Sequence, residues 1–151
     1  MAIKRTVGES VVWKTEVVCP NDTNPMGILQ GGRLVQWMDI AAAVCAQTHA
    51  GKICVTASID KVQFRAPARV GDIVRIEARV TCTFTTSMEI YVSAWKQIIG
   101  QDEKQQLGES FFTFVALDEH GKPVGVPELQ LTNEVEQQHY DKAKTRRAQQ
   151  Q

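Results

Sequence analysis

The residue whose type least fits its surroundings is Asp39. It stands in Trp37-Met38-Asp39-Ile40-Ala41, within a nearly unbroken apolar run from Leu34 to Ala46. Aspartate is a poor helix former and a bare carboxylate is costly to bury. One explanation is a narrow polar stripe that carries Asp39 to solvent together with Gln36 and Arg33, although Arg33 and Asp39 do not have the spacing of neighbouring residues on a helix. The other is chemistry: such a carboxylate can take a proton from water or attack a carbonyl carbon itself. Gly31-Gly32 stands just upstream. At a helix start its N–H groups are unsatisfied and lie at the positive end of the helix dipole, where they can hold a developing oxyanion. Gly31 and Asp39 would then lie about two turns, ~12 Å, apart. An aspartate side chain and a substrate carbonyl can fill part of that gap.

Other reactive residues give no comparable pattern. Cys19, Cys45, Cys54 and Cys82 form no C-x-x-C pair, and His49, His120 and His139 are far apart in sequence. Zinc ligation by spacing is unsupported. The cysteines read as small buried thiols in a reducing compartment.

Seventeen basic residues balance seventeen acidic ones in 151 residues, 43% of them hydrophobic. That length suits one domain with a full core. Neutral charge offers no basic footprint for nucleic acid. No apolar stretch reaches the roughly 20 residues of a membrane span, and the N-terminus shows no secretory signal. A cytoplasmic protein is expected.

The elements that must position Asp39 follow from periodicity. Glu9 to Cys19 reads as a strand, broken by Pro20-Asn21-Asp22-Thr23-Asn24-Pro25. Gly32 to about Thr48 reads as a buried helix of about 17 to 20 residues, ended at His49-Ala50-Gly51-Lys52. Val55 to Asp60 alternates as a strand. The cleanest alternation is Val74, Ile76, Ala78, Val80 and Cys82 against Arg75, Glu77, Arg79 and Thr81. Met88 to Ile99 and Leu107 to Leu117 are two more long strands. Asn133 with Glu136 three residues on predicts the start of a C-terminal helix. Its polar tail, Lys142 to Gln151, is expected to fray, with Lys144, Arg146 and Arg147 as solvated charge. The class is α+β: a curved antiparallel sheet wrapped around one long central helix, plus a C-terminal helix. Residues 1–128 form the single main domain and 129–151 the C-terminal helix and tail.

Asn24-Pro25-Met26-Gly27, then Gly31-Gly32, then Trp37-Met38-Asp39 resembles the signature of hotdog-fold acyl-CoA thioesterases, in the cytoplasmic acyl-CoA hydrolase branch. Phe64-Arg65-Ala66-Pro67, Val70-Gly71-Asp72 and Thr85-Thr86-Ser87 are similar to that branch as well. The resemblance covers about residues 8 to 120 and implies the same helix-in-sheet fold. It implies that Asp39 is the catalytic carboxylate, Asn24 the active-site amide and Gly31 the backbone N–H donor. Gly32, Arg65, Thr85, Thr86 and Ser87 would contact substrate, with Arg65 and Arg69 candidates for the coenzyme's phosphates. The sequence departs from the branch at Ile28 and Gln30, positions that bear on acyl-chain preference.

The activity so implied is hydrolysis of acyl-CoA to free acid and coenzyme A, without metal or further cofactor. A hotdog acyl-thioester dehydratase would use a histidine near the acidic residue, and none lies between Asn24 and Asp39. A non-catalytic acyl-CoA sensor would need no mid-helix carboxylate. The implied partner is a second copy of the chain, in a double-hotdog dimer often assembled as a trimer of dimers, with Asn24 and Asp39 meeting across the dimer from opposite subunits. A helix apolar on almost every side also asks for a partner surface, because one curved sheet covers only part of it.

Overall fold

The computed structural model describes residues 3–150. Its main sheet contains β2 (Val12–Val17), β5 (Ile73–Thr83), β6 (Ser87–Gln97), β7 (Lys104–Leu117) and β3 (Ile53–Ile59), hydrogen-bonded in that order and antiparallel throughout. A two-residue strand, β4 (Gln63–Phe64), adds to β7 on the same side as β3. The alternation read in β5 sets the packing. Val74, Ile76, Ala78 and Val80 are at most 1% exposed, as are Ile90 and Val92 of β6 and Phe112 and Phe114 of β7. Their inner face holds helix α1 (Gly31–Ala50). Its alanines, Ala41, Ala42 and Ala46, offer no bulk, so the helix axis can lie close to the sheet without cavities. Gly51, in the left-handed conformation at φ 66°, ends the helix and returns its N–H to the Gln47 carbonyl.

The helix begins at Gly31, one residue before the expected Gly32, and keeps a stripe uncovered. Ile40 is 43% and Val44 46% exposed, beside the edge strand β3, where Ile53, Val55 and Ile59 are exposed too. Burial on every face therefore does not hold within one chain. Strand β3 also turns the reverse of its hydrophobicity: Cys54 and Thr56 pair with inward-facing Ala116 and Phe114, while Val55 points away. A bulge between Thr56 and Ser58 follows.

Two features escaped sequence periodicity. β1 (Lys4–Thr6) and β8 (Glu128–Gln130) form a small parallel pair, and β8 straddles residue 128 so that the main domain and the C-terminal segment share a strand. Helix α2 (Glu134–Gln149) then lies on the outer face of the sheet against β5. Asn133 Oδ1 accepts the Glu136 N–H, as expected of a cap, but the Glu136 carboxylate reaches back to Thr132 instead of Asn133. The expected fraying does not occur. Ala143 is fully buried, Arg146 makes two hydrogen bonds to the buried Glu89, and the Arg147 guanidinium lies 4.3 Å from the Phe84 ring centroid. These long-range partners, invisible to local reading, hold the helix down; Gln151 lies outside the described residues. Among the described residues no helix is long and apolar enough to cross a membrane, and no group of three or more His, Cys, Asp or Glu side chains is placed to hold a metal ion.

Candidate active site

Asp39 sits half-buried on the side of α1 that faces β3. Thr56 Oγ1 donates to its Oδ1 at 2.7 Å. A charge-assisted bond of this length fixes the carboxylate's rotamer, and Oδ2 makes no protein hydrogen bond among the described residues. Arg33 makes no contact with Asp39. It turns instead to Gln36 Oε1 at 3.2 Å and to Asp22 Oδ1 at 3.3 Å.

The segment before α1 is held by its own polar groups. Residues Pro20–Asp22 form a short 3-10 turn in which Asp22 Oδ2 accepts the Cys19 N–H at 2.8 Å. Asn24 Oδ1 accepts from the Met26 and Ile28 N–H groups at 2.9 and 3.1 Å, an Asx-type turn that spends the amide oxygen within the loop. Its Nδ2 donors have no protein partner among the described residues. Gln30 occupies the N-cap position but donates its side-chain amide to the Thr23 carbonyl and leaves the helix start uncapped. The first helical bond runs from Leu34 N to Gln30 O. The N–H groups of Gly31, Gly32 and Arg33 are thus free at the positive end of the dipole, the arrangement that can hold an oxyanion.

Beside that first turn opens a cavity of about 440 Å³, lined mainly by apolar groups of α1, the loop before it, β4 and the start of β7. Arg65 stands at its rim, with Nε and Nη2 both on Glu109 Oε2 at 2.8 and 2.7 Å. Tyr91 donates to the other Glu109 oxygen at 3.1 Å, and burial, first among several causes, raises the Tyr91 phenol above its ordinary pKa. The arginine read as a phosphate contact therefore carries a carboxylate already.

Within one chain the expected site falls into two parts. Asn24, Gly31 and Gly32 gather at the start of α1; Asp39 and Thr56 lie about 12 Å along it. Thr85, Thr86 and Ser87 lie far from the helix start and two strand spacings, about 10 Å, from Val55 across β7. They form the turn where β6 opposes Val115, on the order of 20 Å along β7 from Gly108, where Phe64 pairs. Ser87 is buried and accepts from Arg147, while the Thr85 and Thr86 carbonyls hold Val126 and Ala116. Thr56 is the partner that the sequence did not reveal; its only signal was a hydroxyl on the strand directly after the helix. His49 is fully buried at the far end of α1, with Nε2 on the Pro127 carbonyl at 2.8 Å, so it is no dehydratase histidine. Of the cysteines, Cys45, Cys54 and Cys82 are buried, and burial pushes the Cys45 thiol up to about 12 and the other two to about 11. Cys19 is exposed in the loop before Asn24, contrary to the reading of all four as buried.

Comparison with known proteins places this geometry. Residues 26–102 match the thioesterase superfamily. An uncharacterized acyl-CoA thioester hydrolase of Bacillus subtilis is 43% identical over 80% of this chain and 70% of its own. Mouse acetyl-coenzyme A thioesterase is 37% identical over 93% of this chain, which spans only 25% of that longer protein. Acyl-CoA hydrolase of Staphylococcus aureus, solved with butyryl-coenzyme A and coenzyme A, superposes with a TM-score of 0.91 at 37% identity over 97% of this chain and 90% of that one. A hexameric acyl-CoA thioesterase superposes at 0.92 with 39% identity, over 97% and 94% of the two chains. The S. aureus enzyme has also been solved with alanine in place of an asparagine, of an aspartate and of a threonine. Those three positions have the same spacing as Asn24, Asp39 and Thr56 here. With a long helix cradled by an antiparallel sheet, free N–H groups at its start and a threonine-held carboxylate at its middle, this chain belongs to the thioesterase superfamily, among the hotdog-fold acyl-CoA thioester hydrolases.

Proposed function

We propose that the chain cleaves acyl-CoA by general-base hydrolysis, with Asp39 as the base. Asp39 Oδ2 takes a proton from water as the water oxygen attacks the thioester carbonyl carbon. The Gly31 N–H, seconded by Gly32, holds the negative charge that develops on the carbonyl oxygen. Collapse of the tetrahedral intermediate breaks the C–S bond, and the proton held by Asp39 passes to the departing coenzyme A thiolate. Asn24 donates from its free Nδ2 to the water or the carboxylate, and Thr56 keeps Asp39 in register. The observation that carries this reading is the bond from Thr56 Oγ1 to Asp39 Oδ1, which orients a carboxylate in the middle of a largely apolar stretch of α1. A sensor that only bound acyl-CoA would have no use for it. The chemistry requires no metal or redox group, because a thioester is already activated and coenzyme A enters and leaves with the substrate.

We further propose that the working unit is a dimer. The Gly31 N–H and Asp39 of one chain, about 12 Å apart, are too distant to act on one carbonyl. Two copies that pair along β3 and lay their α1 helices side by side would bring Asp39 of one to the helix start of the other, in two equivalent sites. The exposed Ile40 and Val44 of α1 and the position of β3 at the end of the sheet support that pairing, and three dimers would complete a hexamer. Catalysis is assigned to residues 1–128, with 129–151 as a brace on the sheet, and the location to the cytoplasm. Arg65, Thr85, Thr86 and Ser87 would meet the coenzyme only through the assembled oligomer. The test is release of free thiol from acyl-CoA, followed with a thiol-reactive dye. Turnover that is lost in Asp39→Asn is the expected result; binding of acyl-CoA without turnover would make the protein a sensor.

A further inference from the structure

The cavity beside the first turn of α1 has a mostly apolar lining, with Arg65 as its one charged side chain. Leu34, Leu107, Leu29 and Ala68, all below 9% exposed, form its inner surface, and Ile28 and Ala66 continue it outward. Its volume of about 440 Å³ lies within the usual range for small-molecule sites, roughly 300–1,000 Å³. One wall differs from the rest. Phe64 is 58% exposed and belongs to a strand of only two residues, and its ring lies across the helix start: a Cβ added at Gly31 would meet Phe64 Cζ at 3.3 Å and Cε1 at 3.4 Å. The same residue, Gly31, carries the N–H assigned to the carbonyl oxygen.

Building on the thioesterase reading, we propose that this cavity receives the acyl chain and that Phe64 sets how long a chain it accepts. A thioester whose oxygen sits on the Gly31 N–H has two arms. The pantetheine arm carries amides that need hydrogen-bond partners, which the leucine and alanine walls do not supply. The acyl arm carries none. An acetyl group would leave most of the volume unfilled, so the substrates are aliphatic acyl-CoAs of several carbons. Phe64, with the tip of its ring against Gly31 and more than half of its surface exposed, forms a side wall of the cavity. The Arg65–Glu109 ion pair marks the rim at which apolar contact ends.

The test is kcat/KM for straight-chain acyl-CoAs from acetyl to palmitoyl, with the wild-type chain, Phe64→Ala and Ala66→Leu. Each methylene taken up by the cavity is worth about 0.8 kcal/mol, or roughly fourfold. The wild-type protein is expected to gain about that factor per added methylene until the cavity is full, then level off or fall. Phe64→Ala should move the optimum to longer chains, and Ala66→Leu, which narrows the same space, to shorter ones. The two variants must move in opposite directions, so a loss of folding in either leaves the other to decide. A profile flat from acetyl upward, or one that neither variant changes while hydrolysis persists, would overturn the acyl-cavity assignment and leave the thioesterase intact. A folded wild-type protein that releases thiol from none of the substrates would overturn the thioesterase reading itself, and this assignment with it.

Discussion

Replacing Asp39 by asparagine removes the proton acceptor but keeps the shape and the Oδ1 to which Thr56 donates. The expected result is a kcat lowered by at least about 100-fold, as loss of a general base produces, with a circular-dichroism melt close to wild type. Thr56→Val tests the other end of that bond. A hydrogen bond to a charged group is worth about 1.5–3 kcal/mol, so kcat should fall by roughly 10- to 100-fold and Thr56→Ser should restore most of it. Equal kcat in Thr56→Val and wild type would show that the carboxylate needs no orienting partner. Asp39 and the Gly31-Gly32 pair stand out in the sequence because each breaks a local rule, an acid in an apolar stretch and a glycine pair at a helix start; Asn24 stands out only through the family resemblance, because an asparagine in a proline loop is an ordinary turn residue. Thr56 breaks none. Threonine is ordinary in a strand, and its role exists only once β3 folds beside α1. Arg65 shows the converse, since an arginine beside a proline turn reads as free until Glu109 arrives from β7.

The elements whose order comes from local periodicity were legible almost to their ends. Helix α1 and strands β5, β6 and β7 follow their apolar repeats, because there the inward set and the hydrophobic set coincide. They part company in β3, whose outward Ile53 and Val55 satisfy no surface of their own chain, and in α2, whose polar string conceals what it touches. Arg146 is the contact that decides α2. Its partner Glu89 has a side chain only 8% exposed and is otherwise satisfied by Thr81. Breaking a buried pair from one side costs about 3–5 kcal/mol; with Arg146 a quarter exposed, Arg146→Ala should fall near the lower figure in urea unfolding. Asn133→Ala, which removes only the cap, should cost about 1 kcal/mol. Equal losses would mean that the guanidinium adds nothing to docking. At the other end of α1, burial holds the pKa of His49 below its usual value, while the Pro127 carbonyl pulls it up and Arg5 presses it down. The folded state thus resists protonation that the unfolded chain accepts. Stability from this group is complete above the unfolded value of about 6.5 and is lost as pH falls through the lower folded value. The melting temperature should decline on acidification from pH 7, and His49→Gln should be less stable at neutral pH but show a shallower decline.

At the scale of the whole molecule, the proposed site would leave one chain an incomplete enzyme. The edge of β3, the Ile40–Val44 stripe of α1 and the separation of the helix start from Asp39 all ask for the same thing, a second copy related by a two-fold axis. Val44→Glu would place a charge in the middle of that surface, where it would be buried without a partner, and should shift the protein to monomers in light scattering with loss of turnover. Whether the site is shared, and not merely sheltered, is settled by mixing. Asn24→Ala and Asp39→Asn are each expected to be inactive alone. Co-expressed with distinct affinity tags, they form mixed dimers in which one site keeps the wild-type Asn24 of one subunit and the wild-type Asp39 of the other, while the second site carries both defects. Under random pairing half of the dimers are mixed and half of their sites are intact, so recovered activity should approach about a quarter of wild type, and stay near that in hexamers purified through both tags. Doubly tagged hexamers that bind acyl-CoA yet stay inactive would place Asn24 and Asp39 in one site of one chain, and the Gly31 N–H would then have to reach Asp39 by a movement of the helix start.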